Sequence, residues 1–100
     1  MTKIKKYVDK IADELEDSKS YMEKALEYRA EGNADRYNGY KEMSLQELAH
    51  ATRIHDYAVQ DIEKLRAVYP EIPQSMQDGW EKAHVDFVEK AAWIRQMQAM

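Results

Sequence analysis

The sequence predicts an all-α protein, with two long helices folded into an antiparallel hairpin and a third helix after them. Apolar residues recur at three-four spacing over three long stretches, and no strand-like alternation interrupts them. Turn-forming clusters fall at Gly32-Asn33 and at Pro70 to Pro73, which leaves two short connections and so antiparallel neighbours. The composition agrees: 44 % of the 100 residues are apolar and 34 % charged, with three Gly and two Pro, which suits a helical bundle rather than a disordered chain. This length makes one domain, residues 1–100. A chain so short buries a small share of its surface, so self-association is a natural way to complete its core.

The first helix is expected from about Lys3 to Ala30. Its stripe is Ile4, Val8, Ile11, Leu15, Ser18, Met22, Ala25 and Leu26, with Tyr7, Tyr21 and Tyr28 along one flank. Gly32 and Asn33 close it, since both tolerate the left-handed cap conformation. The second helix is expected over about Ala34–Tyr69, with Tyr37, Tyr40, Ser44, Leu48, Ala51, Ile54, Ala58, Ile62 and Leu65 inward. Pro70 stops it. The third should start after Ser75, where Ser75 and Asp78 resemble a capping box, and run to about residue 98. Its stripe is Met76, Trp80, Ala83, His84, Phe87, Ala91, Ile94 and Met97. The first two helices are each on the order of 40–50 Å long. So long a bundle from so small a chain leaves an open side for a second copy to cover.

Charge and residue usage exclude several function classes. The net charge is −4 with both signs interspersed, and no basic patch points to nucleic acid. Lys3, Lys5, Lys6 and Lys10 are followed at once by acidic residues, as on a solvated helix face. The absence of cysteine removes disulfides, thiol catalysis and thiolate metal sites. Neither a bilayer-spanning segment nor a signal-peptide core is present, so a cytoplasmic location and no membrane partner are expected. His55 with Asp56 adjoins no nucleophile, which disfavours a hydrolase.

The chemistry-bearing constellation is Glu14 on the first helix and Glu47-x-x-His50 on the second. On a helical wheel Glu47 lies about 40° from the Ala51 direction, His50 falls on the same side toward the flank, and Glu14 lies about 60° from Ile11. Glu14 is 18 positions before Gly32 and Glu47 is 15 beyond it, so in an antiparallel hairpin they sit within about one turn of the same level. A carboxylate near an apolar stripe is costly unless paired or metal-bound. Two carboxylates and an imidazole over one gap suit iron or manganese. The alternative is a salt-bridged structural cluster in a non-enzymatic helical module for oligomerisation or adaptor work. Glu81 and His84 repeat the spacing but lie at a different level, and His84 is expected to be a packed histidine bonded to Tyr57 or Asp61.

Glu14 with Tyr21 seven positions later, followed by Glu47-Leu-Ala-His50, resembles the first half of the rubrerythrin branch of the ferritin-like family. The similarity covers about residues 5–65. The second half of the family's four-helix domain is missing, and the chain is similar in this to encapsulated ferritins, in which a truncated hairpin builds its two-metal site across a dimer. The resemblance implies a ferritin-like bundle completed by a homodimer or higher oligomer. In it Glu14, Glu47 and His50 of each chain would hold two iron ions per dimer, with manganese or zinc as alternatives. It also implies that Tyr21 is placed to hydrogen-bond a ligand or supply an electron. The corresponding activity is that of a di-iron oxidoreductase: iron oxidation, iron handling or peroxide scavenging.

Overall fold

A computed structural model describes residues 2–69 and 71–100. It contains three helices, α1 (Thr2–Ala30), α2 (Ala34–Val68) and α3 (Gln74–Ala99), and no strand among the described residues. They pack as a rod of 56 × 19 × 16 Å. The 35 residues of α2 span nearly all of its long axis, at about 1.5 Å per residue. No helix is long and apolar enough to cross a membrane among the described residues.

The α1–α2 connection follows from two residues. Gly32 takes the left-handed conformation at φ +76°, which costs a residue without a Cβ nothing. Its N–H then donates to the Arg29 carbonyl and the Asn33 N–H to the Tyr28 carbonyl, satisfying two groups that the end of α1 would leave open. The Asn33 side chain in turn accepts from the Arg36 N–H and caps α2. At the far end Tyr69, which precedes a proline, is extended and ends α2. Pro70, the expected stop, lies outside the described residues.

The start of α3 differs from expectation. Pro73, not Ser75, is the N-cap, and no side chain caps the helix. The Pro73 carbonyl receives the N–H groups of Met76 and Gln77, while Asp78 accepts from the Gln74 side chain instead of joining a Ser75 box. The fixed φ of proline launches the helix without a capping hydroxyl.

The buried residues fall on a tighter seam than three-four spacing alone defines. On α1 the seam is Ile4, Ile11, Leu15, Ser18, Met22 and Ala25, with Glu14 buried beside it, and on α2 it is Ser44, Leu48, Ala51, His55, Ala58 and Ile62. Their alternating four-three steps are those of a coiled-coil seam. The α3 seam runs through Phe87, Ala91, Ile94 and Gln98, with Met97 beside it. Val8, Leu26, Tyr37, Tyr40, Ile54, Leu65, Met76, Trp80 and Ala83 are only half-buried on the flanks, and His84 is exposed.

Helices α1 and α2 are the closely packed pair, and α3 lies mainly along α1. At the centre of the pair are two fully buried serines. The Ser18 hydroxyl donates to the Ser44 carbonyl at 2.7 Å, and the Ser44 hydroxyl donates to the Ser18 carbonyl at 2.7 Å. Gln98 of α3 donates to the Ser44 hydroxyl at 3.0 Å. Toward one end Tyr7 donates to Asp61 at 2.7 Å, and Lys3 pairs with the same carboxylate at 3.0 Å. The Tyr7 hydroxyl, then the Lys3 ammonium, hold the Asp61 carboxyl below the usual carboxylate range. Toward the other end the Tyr28 and Tyr40 rings stack at 5.5 Å.

Ser18→Ala should destabilise the fold by about 1 kcal/mol, the net worth of a hydrogen bond. Ser18→Val should cost more, by about 1–3 kcal/mol of overpacking. Urea titration of the two variants beside the parent checks both the sign and the order.

Candidate metal centre

The seam positions the candidate ligands. Glu14 lies one turn before Ser18 on α1, and Glu47 lies three residues after Ser44 on α2. Because the serines fix the axial level of the two helices, the carboxylates meet across the groove. One ligand atom each from Glu14, Glu47 and His50 lie within 4.8 Å of one another. Glu14 is buried, 8 % exposed, as few carboxylates are without a partner. Glu47 is half-buried, and the His50 side chain is 62 % exposed at the mouth.

Two groups, Lys10 and His50, address these acids. Lys10, one turn before Glu14, places Nζ 2.9 Å from Glu14 Oε1. The hydrogen bond and charge of Glu14 raise the Lys10 ammonium above its ordinary range. His50 Nδ1 stands 3.9 Å from Glu14 Oε2 and 3.9 Å from Glu47 Oε1. It is therefore near both acids and hydrogen-bonded to neither. Lys10 is itself largely exposed, so its ammonium can leave the carboxylate for water at little cost. The donor set is two hard carboxylates and one borderline imidazole, with gaps wider than a hydrogen bond at the histidine. That set is one that could hold a divalent metal ion. Tyr21 packs on Tyr40, with ring centroids 6.3 Å apart, on the flank it shares with Glu14.

The cluster occupies the flank of the α1–α2 pair away from α3. Val8, Ala12, Phe87 and Lys90 line one cleft of the α1–α3 side, and Leu15, Lys19, Trp93 and Ile94 line another. On α2 the groove beside α3 is bordered by Leu48, Thr52 and Arg95 of α3. Glu14, Glu47 and His50 line none of these, so the third helix leaves their side uncovered.

The repeat of the motif on α3 stays apart. Glu81 is exposed, and His84 bonds to neither Tyr57 nor Asp61. Asp61 is taken by Tyr7 and Lys3. Instead, His84 Nδ1 and His55 Nε2 are hydrogen-bonded at 2.8 Å. His55 is buried and stacks on Phe87 at 4.3 Å and Trp80 at 5.5 Å. The four-three seam of α2, which runs Leu48, Ala51, His55, Ala58, is the sequence signal that places His55 inside. Burial, and secondarily the neighbouring His84, push the His55 imidazole below its ordinary value.

No family model, curated protein or solved structure matches the chain.

The His55 shift has a definite sign in stability. Above its unfolded value, near pH 6.5, the imidazole is neutral in both states and the contribution is complete. As pH falls below that value the unfolded chain takes up the proton first, so stability declines until the folded imidazole also titrates. Urea unfolding in chelator-containing buffer between pH 7.5 and 5.5 should show this loss, and a smaller one in His55→Phe.

Proposed function

We propose that the chain is a ferritin-like metal-binding half-bundle, in which α1 and α2 form an antiparallel hairpin and Glu14, Glu47 and His50 provide half of a two-metal carboxylate site. A second copy of the chain completes it. The observation that carries this reading is the convergence of a buried carboxylate with Glu47 and His50 within 4.8 Å. Two helices supply these ligands, and one chain offers too few donors for two ions. The uncovered flank supports the dimer. Met43, one turn before Glu47, and Tyr57, two turns after His50, are both large apolar side chains exposed on α2.

In this arrangement Glu14, Glu47 and His50 would hold the ions, the two carboxylates balancing their positive charge and His50 adding a nitrogen ligand from the rim. Lys10 holds Glu14 in place until it is displaced. A bound pair of iron ions would supply electron transfer to dioxygen or peroxide, which makes iron oxidation, iron handling or peroxide scavenging the activity class. The residues of the chain would fix the spacing of the ligands.

A second reading rests on Lys10. Its 2.9 Å contact with Glu14 already compensates the buried charge, as in a purely structural cluster of a helical assembly module. Elemental analysis after anaerobic loading with ferrous iron should give two metals per dimer, with a solution mass of at least twice 11.8 kDa. Metal at about a hundred times its dissociation constant should stabilise the fold by about 2.7 kcal/mol. Glu47→Gln should remove that gain. Equal stability of parent and variant, with and without metal, would favour the structural reading.

A further inference from the structure

We infer that the outer face of α3 is a self-association surface, on which a second copy of this chain docks its own α3 in the antiparallel direction. The face is a stripe of Glu81, Val85, Val88, Ala92, Arg95 and Ala99, whose alternating four-three steps repeat those of the buried seams. It is turned about 100° around the helix from the residues that pack inward. All six residues are exposed, and the two valines are apolar side chains left 46 % and 51 % open to water. The whole stripe lies within α3, so the helix fixes the spacing of its members.

Charge decides what covers this face. Glu81 and Arg95 stand at opposite ends of its apolar part, seven residues before and seven after Val88. Among the described residues neither makes an ion pair within its own chain. A face with an acid at one end and a base at the other is complementary to a reversed copy of itself. Turned about a two-fold axis at Val88, each Glu81 comes level with Arg95 of the other copy, and Val88 meets Val88. Val85, three residues before the axis, then falls within one residue of the level of Ala92, four after it. A branched side chain thus faces a small one, which lets the two helices close. The charged pair and the apolar pair give the same register. A parallel copy would set Glu81 on Glu81 and Arg95 on Arg95, and like charges oppose that. A membrane surface would call for a basic rim, whereas this stripe carries one charge of each sign.

The contact is separate from the Glu14 flank and stands whether or not that cluster binds metal. One helix face covers less than the roughly 1,600 Å² of a standard stable complex, so the association depends on concentration. Where the Glu14 flank also pairs, two different two-fold contacts in one chain join dimers into larger assemblies.

Sedimentation equilibrium of the full chain in chelator, over a concentration series up to about 1 mM, tests the surface. Glu81→Arg and Arg95→Glu each set like charges at both ends of the face, and each should weaken association by about tenfold or more. At the top of the series the parent should reach at least twice the mass of either variant, whatever mass the variants retain through another flank. An equimolar mixture of the two variants should regain the parental mass, because each supplies the charge that the other lacks. Circular dichroism checks that both exposed substitutions leave the helices intact. Equal masses of parent and single variants, or a mixture no heavier than its components, would overturn the surface. Neither comparison depends on Glu14, Glu47 and His50, so failure here is distinct from failure of the metal site.

Discussion

Two serines at the middle of the α1–α2 seam govern how the rest of the molecule is placed. Their side chains are among the smallest that still carry a donor, so the helix backbones can approach until each hydroxyl reaches the carbonyl of the other helix. The contact is reciprocal and sealed by Gln98, and every buried side-chain polar atom in the described residues has a partner. A slide by one residue along either helix would break both bonds and strand polar groups in the core, which costs more than the bonds contribute. Register is thus fixed by a penalty as much as by an attraction. The levels of the Tyr7–Asp61 contact, the Tyr28–Tyr40 stack and the Glu14 cluster all follow from it.

Electrostatics then decides what the fixed register can hold. Glu14 sits where the seam leaves little exposure, and its oxygens divide between the Lys10 ammonium and the approach of His50. Removing a carboxylate from water demands such compensation. Lysine gives it from the same helix through a mobile, solvated side chain, whereas Glu47 and His50 come from the neighbouring helix. The cluster is therefore assembled by tertiary structure but stabilised locally.

The third helix makes the bundle asymmetric. It covers the Val8, Ala12 and Lys19 flank of α1 and closes on α2 through a patch of stacked rings, His55 with Trp80, His84 and Phe87. An imidazole in this position combines aromatic packing with a directional nitrogen, and so gives α3 an orientation as well as an apolar seat. Among the described residues, no helix lies over the opposite flank, where Glu14 and Glu47 meet.

Sequence alone determined the helical class, the element ends at Gly32-Asn33, and the shared level of Glu14 and Glu47, because these depend on local conformational preference and on counting residues along helices. It also held the burial of His55 and Gln98 in a four-three period that a looser three-four reading passes over. The partner of His84 and the flank taken by α3 required the tertiary structure. So did the Pro73 start of α3, where a carbonyl replaces the expected hydroxyl cap. Spacing along a chain fixes direction around one helix axis, but which two faces meet depends on the volumes and polar groups of both, and only the packed fold brings those together.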